Sequence, residues 1–108
     1  MSEAIVVFMT AANADEARRI AERLIETRLA ACVQILPEIE SVYRWKNEVQ
    51  HEKEVLLLAK TTDIRFDDLE KEVRAIHSYE TPEIVAVPMS SVSEPYRAWL
   101  LDSIAGNS

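Results

Sequence analysis

Few side chains in this sequence could do chemistry. There is one thiol, Cys32, and there are two imidazoles, His51 and His77. Thiolate and imidazole are ligands that soft and borderline metal ions take, and the carboxylates of Glu80 and Glu83, close behind His77, suit harder divalent ions. The same stretch could serve acid–base chemistry, with His77 or Glu80 as general base and Tyr79 as donor. Each group also has a plainer use. A lone cysteine in a strand is most often a small buried hydrophobe. His77 falls at the C-terminal end of a helical pattern, where a structural hydrogen bond accounts for an imidazole. His51 lies in a polar strand segment and reads as surface. No nucleophile, oxyanion hole or cofactor motif is legible, and no serine stands in a GxSxG-like context, so the chain reads as non-enzymatic.

Composition excludes further classes. The 108 residues carry 12 Lys and Arg against 19 Asp and Glu, a formal charge of −7. A phosphate backbone would be repelled, which argues against nucleic acid as a partner. The single glycine, Gly106, stands near the C-terminus, so no loop can bring backbone N–H groups against a phosphate as GxGxxG or a P-loop does. No organic cofactor is expected. One cysteine allows neither an intrachain disulfide nor a Cys-rich zinc site, and it suits a reducing cytoplasm. The apolar run from Ala4 to Met9 is too short for a signal peptide, and no run approaches membrane length, so a cytoplasmic chain without a membrane partner is expected. The length holds one domain, 1–108, with a core that is sufficient but not generous.

These groups must be positioned by elements that the hydropathy pattern outlines. Ala4 to Thr10 is β-branched and apolar at odd and even positions, the pattern of a strand covered on both sides. Asn13 with Glu16 makes a capping-box signal, and Ala17, Ile20, Ala21, Leu24 and Ile25 continue it as a helix ending near Leu29. From Ala31 the period becomes two. Ala31, Val33, Ile35, Ile39, Tyr43 and Trp45 share one face of a long strand, in which Pro37 demands an edge position or a bulge. Lys46, Asn47 and Glu48 can turn the chain, since asparagine tolerates positive φ. The next strand, Val49 to Thr61, starts polar and ends in the apolar run Val55 to Ala59. Thr62 and Asp63 can cap a second helix with Ile64, Leu69, Val73 and Ile76 inward, its charged residues forming a solvated face. Glu83 to Met89 is a short strand whose Pro88 again argues for an edge. Ser93 or Glu94 caps a last helix, with Pro95 in its first turn and Tyr96, Trp99, Leu100 and Ile104 inward.

The order βαββαβ plus a C-terminal helix is the ferredoxin-like split βαβ arrangement, an α+β fold with an antiparallel sheet in the order 4-1-3-2. The two-sided apolar strands fall at the centre and the proline-bearing ones at the edges, so two independent signals agree. Two helices cover only one face of such a sheet. Here the other face is also apolar, and two strands of about 13–15 residues would reach ~45 Å, well beyond a body whose radius of gyration is near ~13 Å. Such an overhanging edge calls for pairing, and a closed ring of identical subunits, most economically a homotrimer, pairs every edge.

Four segments resemble one family: AACVQI at Ala30 to Ile35, SVYRWKNEV at Ser41 to Val49, EVLLLAKTT at Glu54 to Thr62 and HSYETPEI at His77 to Ile84. In that order and spacing they are similar to CutA, the divalent-cation tolerance proteins. The resemblance implies a trimer similar in design to the nitrogen-regulatory PII proteins and a cytoplasmic role in tolerance of copper and other divalent ions. It nominates His77, Cys32 and Glu80 as ligands for copper or another divalent metal ion. It equally allows a small ligand in a cleft between subunits, where Trp45, Lys60, Tyr79 and Glu83 would offer a cation, a phenol and a carboxylate at an apolar wall. An ion pair of Lys60 with Glu80 would use the same groups structurally. Two departures stand out. Ser78 replaces the proline usual after the histidine, which loosens the turn, and Asn47 replaces a hairpin glycine. The residue before His77 is Ile76, so the two adjacent histidines of some members are not present in one chain.

Overall fold

In the computed structural model, which describes residues 2–106, the β-branched run at the N-terminus forms β1 (Ala4–Ala11). Met1, Asn107 and Ser108, the ends of the expected 1–108 domain, lie outside the described residues. Then follow α1 (Ala14–Glu26), β2 (Cys32–Trp45), β3 (Glu48–Thr62), a 3-10 turn (Asp63–Arg65), α2 (Phe66–Ile76), β4 (Ile84–Pro88) and α3 (Glu94–Ala105). The sheet order is β2-β3-β1-β4 with every neighbour antiparallel, so the central strands are the two-sided apolar ones and the edges hold Pro37 and Pro88. Proline lacks the N–H that a central ladder position must donate, and this placement leaves no such donor missing.

One sheet face is the core. Val7, Met9, Leu57 and Ala59 are fully buried against Ile20 and Leu24 of α1 and Leu69 and Val73 of α2. The capping signal is realised: the Asn13 side chain accepts from Glu16 N at 2.8 Å. The helix ends at Glu26, three residues before the expected Leu29, because Arg28 turns left-handed at φ 59°. There Arg28 N donates to Ile25 O and Leu29 N to Leu24 O, the paired bonds of a Schellman end with arginine where glycine is usual. The second helix is not capped by Thr62 or Asp63 side chains. Asp63 Oδ1 instead accepts from Glu3 N at 2.8 Å and Ile64 N at 2.9 Å, tying the N-terminal strand to the turn.

Three residues expected inward face out. Ile64 is 67% exposed because its turn is 3-10 and breaks the phase of the α-helical stripe. Ile25 and Trp99 lie beside, not on, the buried rows of α1 and α3; Trp99 packs on Tyr96 with ring centroids 5.4 Å apart. Leu100 and Ile104 of α3 do turn inward and cover Ala4.

The bulge at Pro37 corrects another expectation. Leu36 pairs with Leu56, but the next partners are Ile39 and Glu54, so an extra residue enters β2. An extra residue reverses the alternation. Val33 and Ile35 stand on the helix-covered face with Ala59 and Leu57, whereas Ile39, Tyr43 and Trp45 stand on the opposite one. That opposite face is apolar: Val6, Phe8, Leu56 and Leu58 are only half-buried, and Val85 and Val87 are exposed. The β2–β3 hairpin overhangs as expected, giving the molecule extents of 46 × 26 × 23 Å.

Candidate functional site

α2 releases the chain at His77, whose extended backbone (φ −79°, ψ 141°) carries it toward β4. The imidazole is fully buried where this exit meets the end of β1 and the start of α1. Nε2 lies 2.7 Å from Thr10 O, and Nδ1 lies 3.0 Å from Tyr79 N. A carbonyl can only accept and an amide N–H can only donate, so Nε2 carries the hydrogen and Nδ1 accepts. Both ring nitrogens are therefore engaged by the main chain.

Beside the ring, 3.8 Å from Nδ1, lies the buried carboxylate of Glu16. Its Oε1 accepts from Ala12 N at 2.9 Å and its Oε2 from Ser78 N at 2.6 Å. Burial pushes this carboxyl up, but the Ala12 N–H and the Ser78 hydroxyl and N–H outweigh burial and leave it below its ordinary range. One carboxylate thus clamps the β1–α1 loop to the α2–β4 loop. The loosening expected at Ser78 is not found: serine supplies the N–H that a proline there would lack.

Tyr79 extends the network toward the hairpin. Its ring packs on His77 at 4.8 Å, and its hydroxyl donates to Glu54 Oε2 at 2.9 Å. Burial, that hydrogen bond and the charges of Glu54, Glu16 and Glu52 all hold the phenol far above its ordinary value, so it stays a donor. As built, the cluster anchors three segments to one another, and His77 has no lone pair left over for proton transfer or for a metal ion.

Of the other candidates, Cys32 is half-buried opposite Lys60 on β3, which in turn is opposite Val6 on β1. Thr10, the partner of His77, lies four residues further along β1, or about 13 Å, so one chain does not bring Cys32 and His77 together. The thiol meets Tyr96 of α3 instead, whose phenol is pushed up by burial and by Cys32. Lys60 Nζ donates to Gln34 Oε1. Trp45 stands at the hairpin tip, 58% exposed. Along β3, Lys60 and the Trp45 partner Glu48 each lie six residues from Glu54, roughly 20 Å in opposite directions. Glu80 and Glu83 are exposed in the α2–β4 loop, and His51 lies exposed on the hairpin, 3.7 Å from Glu40. Among the described residues no three His, Cys, Asp or Glu side chains come together as a metal site. A groove of about 370 Å³ lies away from His77, between α1 and α3 against Ile25, Arg28 and Trp99.

Sequence reasoning placed Glu16 only as a cap residue and gave Glu54 no role. The one available signal for Glu54 was its position, a carboxylate at the switch from the polar to the apolar half of β3.

The chain matches the family model described as CutA1 divalent ion tolerance protein over residues 5–103. It is 46% identical to the Divalent-cation tolerance protein CutA of Thermus thermophilus, over 91% of this chain and 95% of that protein. It is 40% identical to Protein CutA, chloroplastic, of Arabidopsis thaliana over 92% of this chain, which spans 54% of that longer protein. Its fold is similar to that of the Periplasmic divalent cation tolerance protein CutA of Archaeoglobus fulgidus, with a TM-score of 0.91 and 35% identity over 94% of this chain and 98% of that one. Among the described residues no helix is long and apolar enough to cross a membrane.

Proposed function

The chain belongs to the CutA1 family of divalent ion tolerance proteins, and from that premise we propose that it works as a cytoplasmic homotrimer in the response to copper or another divalent metal ion, with no catalysis of its own. The observation that carries the assembly is the uncovered sheet face, where Val85 is 51% and Val87 42% exposed beside Val6, Phe8, Leu56 and Leu58. A closed ring removes that face from water in every copy. The engagement of both His77 nitrogens supports the non-catalytic reading, since the candidate base has no free lone pair. With His77 engaged, the exposed carboxylates of Glu80 and Glu83 are the donors this reading gives to a metal ion. The lone thiol suits a reducing compartment; of the relatives, one is named chloroplastic and one periplasmic.

A second reading, a PII-like sensor of a small ligand, is favoured by one observation. Trp45 and Lys60 stand on the uncovered face, Tyr79 reaches that face at Glu54, and Glu83 closes the same loop, yet these groups are spread along a single chain. Only neighbouring protomers can gather them into a cleft. Light scattering coupled to gel filtration is expected to give three times the chain mass; a monomer at micromolar concentration overturns the assembly. Calorimetric titration of chelator-treated protein with copper is expected to give saturable heat that Glu80→Gln with Glu83→Gln abolishes. No heat in the wild type transfers the assignment to the sensor.

A further inference from the structure

The helix α3 is held by a set of contacts separate from those of the main core. Val7 and Val33 stand on the face that α1 and α2 cover, so Ala4 and Cys32, each an odd number of residues away on the same strand, stand on the opposite one. Leu100 and Ile104 of α3 bury Ala4 there and form with it a second apolar cluster. Tyr96, in the first turn of the helix, rests its phenol against the Cys32 thiol. No ladder of the sheet runs through α3, so the helix can lift while β1 to β4 stay paired.

The far end of α3 is tied down by two arginines. The last carbonyls of a helix have no partner within it. Gly106, at φ 89°, turns its N–H onto Asp102 O, while Ser103 O accepts from Arg28 Nη1 at 2.6 Å and Ile104 O from Arg65 Nη2 at 2.9 Å. Arg28 stands just past α1 and Arg65 in the turn before α2, so each bond ties α3 to the helical layer on the other side of the sheet. Both guanidinium charges sit where the helix dipole is negative. Arg28 does this at φ 59°, a conformation that suits glycine and disfavours a side chain. We propose that α3 is a strap: it opens as one unit while the sheet stays closed, Arg28 and Arg65 set how often it opens, and its opening admits solvent to Cys32, the only thiol of the chain. A 12-residue helix is marginal without its packing, so a lifted α3 also gives up its own hydrogen bonds.

Residue-resolved hydrogen exchange of α3 and alkylation of Cys32 by iodoacetamide read this opening by independent means, on the full chain in its native assembly. In the wild type the α3 amides are expected to exchange together and faster than those of β1 and β3. Arg65→Met and Arg28→Gly each remove a charged hydrogen bond, and each should speed both α3 exchange and Cys32 alkylation by about tenfold or more, with β1 and β3 no faster. The glycine variant is the sharper one. It relieves the left-handed turn, so an arginine that served only that turn would leave α3 as slow as before or slower. Because a strap opens within one chain, the alkylation rate should not change with protein concentration. An α3 that exchanges only with the sheet, or variants at wild-type rates, overturns the strap. So does alkylation that slows as concentration rises, which marks subunit separation, or alkylation that does not follow α3 exchange, which marks a thiol open without the helix moving.

Discussion

Replacing Glu16 by glutamine tests whether one carboxylate holds the site together. The ionised group accepts from Ala12 N and Ser78 N with its two separate oxygens. Glutamine has one oxygen and one NH2 group, so whichever way the amide is turned one main-chain N–H faces another donor. A buried donor left without a partner costs about 1–3 kcal/mol, and the surviving bond falls from the charged to the neutral class, about 1 kcal/mol weaker. Glu16→Gln is therefore expected to lose about 2–4 kcal/mol at neutral pH, measured by urea unfolding at fixed protein concentration. The pH dependence gives a second handle. The folded-state carboxyl is lowered, so the unfolded chain binds its proton more readily than the folded one. Its contribution is complete above the ordinary glutamate value, about pH 4.3, and is lost as pH falls through the lower folded value. The gap between wild type and variant should narrow on acidification, because only the wild type has this charge to lose. A variant within about 0.5 kcal/mol of wild type at neutral pH, with an unchanged acid profile, refutes the clamp.

Three further substitutions probe separate parts of the argument. Ser78→Pro is compatible with the extended backbone of His77 but deletes the N–H that Glu16 Oε2 accepts; the lost charged bond outweighs the entropic gain of proline, so unfolding in urea should show a net loss of about 1–2 kcal/mol. Thr61 Oγ1 is buried with no hydrogen-bond partner, so Thr61→Val should raise stability by about 1 kcal/mol, and a loss instead would show that the hydroxyl is satisfied. Lys46 and Asn47 turn the hairpin at φ 50° and 65°, so Lys46→Asn with Asn47→Gly, the pair such a turn prefers, should add about 1 kcal/mol and raise the thermal midpoint.

What could be read from residue order alone follows the range over which each interaction acts. Strand order was legible because a central strand must be apolar on both sides and an edge strand can hold proline; Ala4–Met9, Val55–Ala59, Pro37 and Pro88 carry those requirements in their own composition. The phase of the hairpin was not. Pro37 is equally consistent with a plain edge and with a bulge, and only the register beyond it, Ile39 against Glu54, decides which face Tyr43 and Trp45 take. The same limit governs the site. Asn13 and Glu16 signal a helix start within four residues, and that signal is correct, but a glutamate that closes its own cap and one that reaches a loop 62 residues on look alike in sequence. His77 could be assigned a structural hydrogen bond from its place at a helix end, whereas its acceptor, Thr10 O, lies 67 residues away. Residue types nominated His77 for metal chemistry because they report what an imidazole can do. Whether the ring keeps an available lone pair depends on partners that only the folded chain brings within reach: here Thr10 O fixes the hydrogen on Nε2, and the Tyr79 N–H occupies the lone pair of Nδ1.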